Sequence, residues 1–417
     1  MKKYDLIVVG GGITGVAAAV SAKRLGIDVL LVDKSGALGG AMSNSLVYPF
    51  MYYATKSPDA SGHEKVLCDG IFTEMRKRHA KYSTDKHNFS PEHFKFTFDE
   101  MISEAGVDVL FHGSVFDVTT EDGKISSIKV ATKQGVTEYA SNLFIDATGD
   151  GQIFYLAGCD YQIGREDDGF CQPMTTCFRM SGVDIDAFYA DLPRLQKLYK
   201  EKHETGEIKN PRENILVFNG IGTGILHFNT TRVIKLDPTN PLDVSRSEIM
   251  ARSQIAEMEQ FLKENCVAFK DSTIISIASE IGIRESRKLK GEHILTVEEL
   301  KDCTKFDDRI ALGNYDVDIH NPTGSGTEHY YFKAGEYYSI PYRSLLPKEI
   351  SNLLVAGRCI SATHEAQASV RIMPICACMG QAAGTAAAVC IQTGCNPHNV
   401  DVSAVQALLR ENGAAID

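Results

Sequence analysis

The chain has 417 residues, 43% of them apolar, and a formal net charge of −11 at pH 7. It is too long for one simple domain and can bury a large core. The acidic balance leaves no basic excess to neutralise phosphates, which argues against a nucleic-acid partner. Eleven cysteines, an odd number with no regular framework, point to reduced thiols in a reducing compartment and a cytoplasmic location. The start, Met1-Lys2-Lys3, imitates a secretory signal, but Asp5 interrupts it. No run of about 20 purely apolar residues exists. The nearest, residues 375–390, is rich in Ala, Gly and Cys and carries Gln381, which suits a packed internal helix, so no membrane span is expected.

Taken in order, residues 5–9 read as a short buried parallel strand. The strand runs into Gly10-Gly11-Gly12-Ile13-Thr14-Gly15, a G-x-G-x-x-G turn, then a small-residue helix over 16–25 and a second strand over 28–32 that ends at Asp33. Gly10 allows the tight turn, Gly12 has no side chain to hold a pyrophosphate away, and Gly15 lets helix and strand pack closely. The helix start offers free N–H groups to phosphate, and Asp33 is placed for ribose hydroxyls. Strand, turn, helix, strand and acid in this order predict a bound dinucleotide.

Residues 64–78 suggest an amphipathic helix and 91–104 another. Strands are expected over 106–111, 115–118, 125–131 and 136–139, the last three a β-meander turned at Glu121-Asp122-Gly123-Lys124. Residues 142–146 read as a separate buried strand, followed by Ala147-Thr148-Gly149-Asp150-Gly151, a second place where backbone can approach a ligand. From about residue 170 to 335 the βαβ grammar stops. Strands are expected over 176–180, 223–233 and 273–283, and helices over 184–203 and 244–266. The parallel pattern returns at 350–357, and Pro374 opens a helix to about residue 393. The predicted fold is α/β: a Rossmann-like dinucleotide-binding domain (parallel sheet plus β-meander) with an inserted α+β substrate domain. Its parts are residues 1–169, an insertion over 170–335, and a returning part over 336–417.

These motifs carry a resemblance. Gly10-x-Gly12-x-x-Gly15, Gly39-Gly40, the 145–150 and 281–287 segments, Asp318-Ile319-His320, and the block from Leu354 through Gly384 resemble the FAD-dependent oxidoreductase family. That family shares the flavin fold of succinate dehydrogenase and fumarate reductase flavoproteins and of heterodisulfide-reductase-like flavin proteins. The resemblance implies FAD. It places Gly10, Gly12, Ile13, Thr14, Gly15, Asp33 and Lys34 on the ADP half and Gly39, Gly40, Ala41 and Met42 near the pyrophosphate. Val115 would offer its backbone to adenine, and Ala147, Gly149 and Asp150 would flank the cofactor. Gly357 and Arg358 would lie beside the pyrophosphate and ribityl chain, with Met373 and Pro374 aiming a helix start at the flavin. Relatives with covalent flavin carry a His after the Gly-Gly pair. Ala41-Met42-Ser43-Asn44 stands there instead, so FAD is expected to be non-covalent. No Cys-x-x-Cys-x-x-Cys run suggests an iron–sulfur cluster, and no metal site is expected.

Flavin chemistry is hydride transfer, for which the protein supplies orientation, charge and a proton path. His364 is the first candidate for acid/base work. Arg371 and Arg284 are candidates to hold a substrate oxygen, and His320 is a second base; Tyr342 and Arg179 stand further back. Cys376-Ala377-Cys378 reads as core packing rather than a redox pair, because the two point to different helix faces. The expected reaction is hydride transfer between a small polar organic substrate and FAD, with an unknown electron acceptor and an unknown oligomeric state. A peptide- or tRNA-linked substrate, a structural FAD on a binding or scaffold protein, and an NAD-dependent dehydrogenase are the alternatives.

Overall fold

The computed structural model describes residues 2–59, 62–83, 85–220 and 222–417. Its main sheet has seven strands, in the order Asp108–Leu110, Val29–Val32, Lys2–Val9, Gly135–Asp146, Lys124–Thr132, Ser114–Glu121, with Leu353–Val355 paired to Gly135–Asp146 off this path. The parallel part is apolar on both faces, as a sheet covered on both sides requires. Leu6, Ile7, Val8, Val29, Leu31, Val32, Phe144 and Ile145 are all fully buried.

One strand, Gly135–Asp146, serves three neighbours. Residues 135–140 pair antiparallel with Lys124–Thr132, and residues 139–146 run parallel to Lys2–Val9. The expected strands at 136–139 and 142–146 are therefore a single element. Ser141, the break in the apolar pattern, is buried and donates its hydroxyl to Tyr4 O and Leu143 O. Leu353–Val355 then adds parallel to residues 144–146. A segment more than 200 residues later thus completes the first sheet.

The helix Ile13–Arg24 packs against Met373–Thr393, and small residues make the approach possible. An added Cβ at Gly380 would fall 2.2 Å from Thr14 O, and one at Gly384 would fall 2.1 Å from Ala18 O. Met373–Thr393 is long and apolar enough to cross a membrane, but 94% of its apolar window is buried inside the fold.

A second sheet is antiparallel, in the order Val217–Asn219, Leu226–Phe228, Phe178–Ser181, Thr273–Ile277. Helices Ile185–Glu204 and Pro241–Asn265 cover it over a core that includes Phe178, Phe228, Phe188, Leu195, Ile255 and Phe269. Within the 170–335 stretch, Leu295, Leu300, Ile310 and Ala311 instead join the core of the main sheet. The strand Arg309–Gly313 pairs with Tyr338–Pro341. Two further expectations are corrected. Residues 64–78 open with a short strand, Glu64–Val66, and turn helical only at Ile71–His79, because Gly70 at φ +67° intervenes. Thr273–Ile277 ends well before residue 283, where Gly282 forms an isolated bridge with Thr175. All eleven cysteines are free, nine of them buried.

Candidate active site

The two glycine turns meet. Gly39 N donates to Gly11 O at 2.8 Å, and Gly12 and Gly39 form a parallel bridge. Gly10 has φ +103°, and a Cβ there would strike Ala147 O at 2.4 Å, so the first turn lies directly against the 147–149 turn. At Gly12 an added Cβ meets nothing nearer than Gly40 Cα at 3.9 Å, which leaves the turn open to a ligand. Asp33, largely buried, accepts from Gly11 N at 2.5 Å and Ser35 N at 2.7 Å. Gly113 N donates to Asp33 O at 3.0 Å and so brings the start of Ser114–Glu121, with the buried Val115, beside that acid. Lys34 reaches outward to Glu280 at 3.2 Å.

Opposite the turn, Arg358 Nε donates to Gly149 O at 3.0 Å and Nη2 pairs with Asp150 Oδ1 at 2.5 Å. Ser286 Oγ also donates to Asp150 Oδ1, at 2.8 Å. Gly357, at φ +89°, sits against Thr14. Met42 is fully buried beneath Gly40–Ala41, in the main core.

The two long helices that border the cleft start without a side-chain cap, as do Ala41–Asn44, Ile71–His79 and Gln152–Leu156, while six other helices are capped. Ser90, Asp184, Asn240, Thr296, Thr363 and Asp401 cap their helices with side chains. Ile13–Arg24 and Met373–Thr393 have no side-chain cap. Their unpaired N–H groups are suited to a pyrophosphate and to the anionic edge of a reduced flavin. The open Gly12 turn and these two starts fit FAD.

Just before the second uncapped helix stands a group of buried charges. Arg371 Nη2 lies 3.4 Å from Asp318 Oδ2, and its Nε is buried without a partner. Tyr315 OH donates to the same Asp318 oxygen at 2.9 Å, and His320 Nε2 lies 3.3 Å from it. His320 Nδ1 faces Arg232 Nη2 at 3.2 Å and Thr327 Oγ1 at 3.1 Å. Arg284 donates to Pro173 O at 2.7 Å and to Thr175 Oγ1. Burial, then repulsion from Arg371 and Arg212, pulls the Arg284 pKa down to about 9. Burial and then Arg212 pull Arg232 down to about 10. Burial and the Arg284 charge bring His320 to about 3, so it is neutral at pH 7. Burial opposes ionisation of Asp318, but His320, Arg371 and Tyr315 outweigh it and hold the carboxyl well below its usual range.

Four guanidinium groups, Arg212, Arg232, Arg284 and Arg371, thus stand against Asp318 and Glu213, the latter 3.6 Å from Arg232. Asp316 is taken by His329 at 2.5 Å. Asp316, Asp318 and His329 offer three ligand-type atoms within 4.8 Å of one another, but a cation there would share Asp318 with Arg371.

Arg284, Arg371 and His320 are therefore brought together, and His364 is not with them. His364 is buried, with Nδ1 2.8 Å from Glu285 Oε2. Glu285 is fully buried, receives Gln172 N at 3.0 Å and is also paired with the buried Lys288. His364 and Arg371 lie two turns apart on the same helix face, with Gln367 between them bonded to Arg284 O at 2.9 Å. Tyr342 is buried in the main core and donates to Pro397 O. Cys376 Sγ points to Arg371 O and Cys378 Sγ to Asp69 O, and burial pushes the Cys376 thiol up to about 12. Sequence reasoning missed Arg212, Arg232, Glu213, Glu285 and Lys288. Glu285 sits in the 281–287 motif without having been singled out, and the others sit in no motif, so their burial left no mark in the sequence.

The family described as FAD dependent oxidoreductase matches residues 5–409. The chain belongs to this family. It is an FAD-dependent oxidoreductase, which answers the NAD-dehydrogenase alternative. A digeranylgeranylglycerophospholipid reductase from Thermoplasma volcanium is 27% identical over 201 residues, 46% of this chain and 50% of that protein. A tRNA uridine 5-carboxymethylaminomethyl modification enzyme from Streptococcus sanguinis is 25% identical over 231 residues, 50% of this chain and 34% of that one. The chain thus matches about half or less of the length of these relatives. A crystal structure of a geranylgeranyl bacteriochlorophyll reductase-like protein from Thermoplasma acidophilum aligns over 99% of this chain and 85% of that one, with TM-score 0.48 and 13% identity.

Proposed function

We infer that this oxidoreductase transfers a hydride between a small organic acid and non-covalently bound FAD. The observation that carries the reading is the excess of guanidinium over carboxylate just before the Met373–Thr393 helix, with Arg212 and Arg232 buried and Arg284 and Arg371 half-buried. Buried charge without a counter-charge is costly, and a substrate carboxylate supplies what Arg284 lacks, since among the described residues its bonds go only to Pro173 O and Thr175 Oγ1 while Arg371 shares Asp318. Bound FAD supplies the hydride acceptor or donor. Gly10, Gly12, Ile13, Thr14, Gly15 and Asp33 would hold its ADP half. Gly39–Met42, Gly149, Asp150, Gly357 and Arg358 would enclose the middle, and Met373 and Pro374 would face the flavin. The 170–335 stretch would cover the substrate, its antiparallel sheet supplying Arg284 through the chain that follows Thr273–Ile277.

Substrate oxidation releases a proton as well as a hydride. His320 is held neutral and hydrogen-bonded to Asp318, while His364 is held in one orientation by Glu285. Of these two imidazoles His364 is the better placed to take the proton, because His320 Nδ1 already faces the Arg232 donor and its ring is a weak base at about 3. An RNA-linked substrate would have to meet a chain of net charge −11.

The test is anaerobic mixing of the yellow protein with hydroxy acids, dicarboxylates, amino acids and neutral polyols. Bleaching by acids alone is expected. Bleaching by neutral polyols and not by acids would overturn the reading. Acid precipitation should leave the flavin in the supernatant; flavin in the pellet would mean a covalent link.

A further inference from the structure

A small cavity of about 40 Å³ lies between the main core and the antiparallel sheet, lined by Tyr48, Ser90, Pro91, Arg179, Gly220 and His227 among others. Arg179 and His227 are cross-strand partners, and Arg179 Nε donates to His227 Nδ1 at 3.4 Å. A neutral imidazole that accepts at Nδ1 carries its hydrogen on Nε2. Burial, with the Arg179 charge acting in the same direction, keeps His227 neutral, its pKa pulled down to about 3. The residue is fully buried and its Nε2 has no hydrogen-bond partner. A buried N–H without an acceptor is rare and calls for a ligand or water.

Arg179, half-buried, lacks a counter-charge. It makes no ion pair with any described residue, and Nε is its bonded atom. Burial lowers its pKa; the carboxylate that opposes this, Glu92, is exposed and acts from beyond ion-pair distance. The other polar walls add donors. Ser90 Oγ accepts from His93 N at 3.3 Å, which leaves its hydroxyl hydrogen free, and Tyr48 OH is spent on Asn219 O at 2.8 Å. Ser90 and Pro91 also begin the 15-residue helix Pro91–Ala105, whose positive end faces the cavity. A water molecule would bring two hydrogens into a space that offers mainly donors; an anion accepts all of them.

We propose that this cavity binds one small monoanion, a halide ion or a carboxylate group. Its volume admits a single such group, whereas pockets for whole organic ligands run to about 300–1,000 Å³. The site is separate from the one around Arg284. Arg179 stands four residues along an extended chain from Thr175, the Arg284 partner, which is roughly 13 Å at strand spacing. The proposal does not rest on the reading of the substrate. The carboxylate could come from free solute or from the far end of a longer acid.

The FAD-loaded full chain, exchanged into sulfate buffer, is titrated with chloride and followed by chloride NMR line broadening. Saturable broadening reversed by acetate is expected. Arg179→Met should weaken it at least tenfold with the flavin spectrum unchanged, and His227→Phe should weaken it while keeping the ring. Equal broadening in Arg179→Met overturns the proposal. Should that variant fail to fold, wild-type crystals soaked in bromide decide: an anomalous peak within hydrogen-bond distance of Arg179 and His227 Nε2 is expected, and no peak at saturating bromide overturns it. Acetate and longer dicarboxylates displacing chloride equally well identifies a free ion. Displacement by the dicarboxylates at tenfold lower concentration identifies the end of a longer ligand.

Discussion

Arg284 keeps its charge at neutral pH although burial and three neighbouring guanidiniums, Arg371, Arg212 and Arg232, work against it. Such a group is retained at the expense of stability unless a ligand answers it. Arg284→Gln keeps a donor for Pro173 O and relieves the repulsion with Arg371 and Arg212. The unliganded protein should therefore melt no lower than wild type, while KM for the acid substrate rises by about 10–100-fold, the scale of a hydrogen bond to a charged group. An unchanged KM would remove Arg284 from substrate binding. For His364 the geometry separates two roles. If it takes the substrate proton, His364→Gln keeps the yellow cofactor and slows turnover by ~10²-fold or more. If it only partners Glu285, the melting temperature falls and turnover per bound flavin does not.

At the level of elements, the contact between Ile13–Arg24 and Met373–Thr393 holds the cleft together, because each helix brings one uncapped start to it. The contact depends on missing side chains. At Gly384 even a Cβ would sit 2.1 Å from a backbone carbonyl oxygen, so the helices must separate to admit one. Gly384→Val should lower stability by about 1–3 kcal/mol or more and reduce flavin retained after gel filtration. Full flavin retention at unchanged stability would mean that the two starts need not be held at this spacing. Gly394, in open space at the end of the same helix, is the control site for a substitution, though its φ of +71° carries a strain of its own.

Across the whole molecule, burial holds three histidines neutral: His79 at about 4, His227 at about 3 and His320 at about 3. In the unfolded chain a histidine titrates near 6.5. Between those values the unfolded state binds more protons than the folded one, so stability rises with pH. The contribution is complete above about pH 6.5 and is lost as pH falls toward 3–4, at up to about 1.4 kcal/mol per pH unit for each histidine. Urea midpoints should decline from pH 7 to pH 5. His79→Gln should flatten that decline, since His79 Nε2 accepts Ser90 N at 3.2 Å only while unprotonated. A flat profile in the wild type would contradict the buried neutral rings.

Local pattern made much of this chain readable in one dimension. A strand, a glycine turn, a small-residue helix and a terminal acid within the first 33 residues are short-range features, and each constrains its own backbone regardless of what lies elsewhere. The returning Leu353–Val355 strand and the Pro374 helix start were readable for the same reason. Pairings between distant segments were not. The continuity of Gly135–Asp146 follows from its three partner strands rather than from its own residues. The joining of Leu295 and Ile310 to the main core follows from where the chain passes. The Arg212–Arg232–Arg284–Arg371 group and the Arg179–His227 pair come from segments that share no motif. A charge in sequence carries no mark of burial, and burial and proximity, set by packing, decide whether an arginine is a solvated surface group or a site.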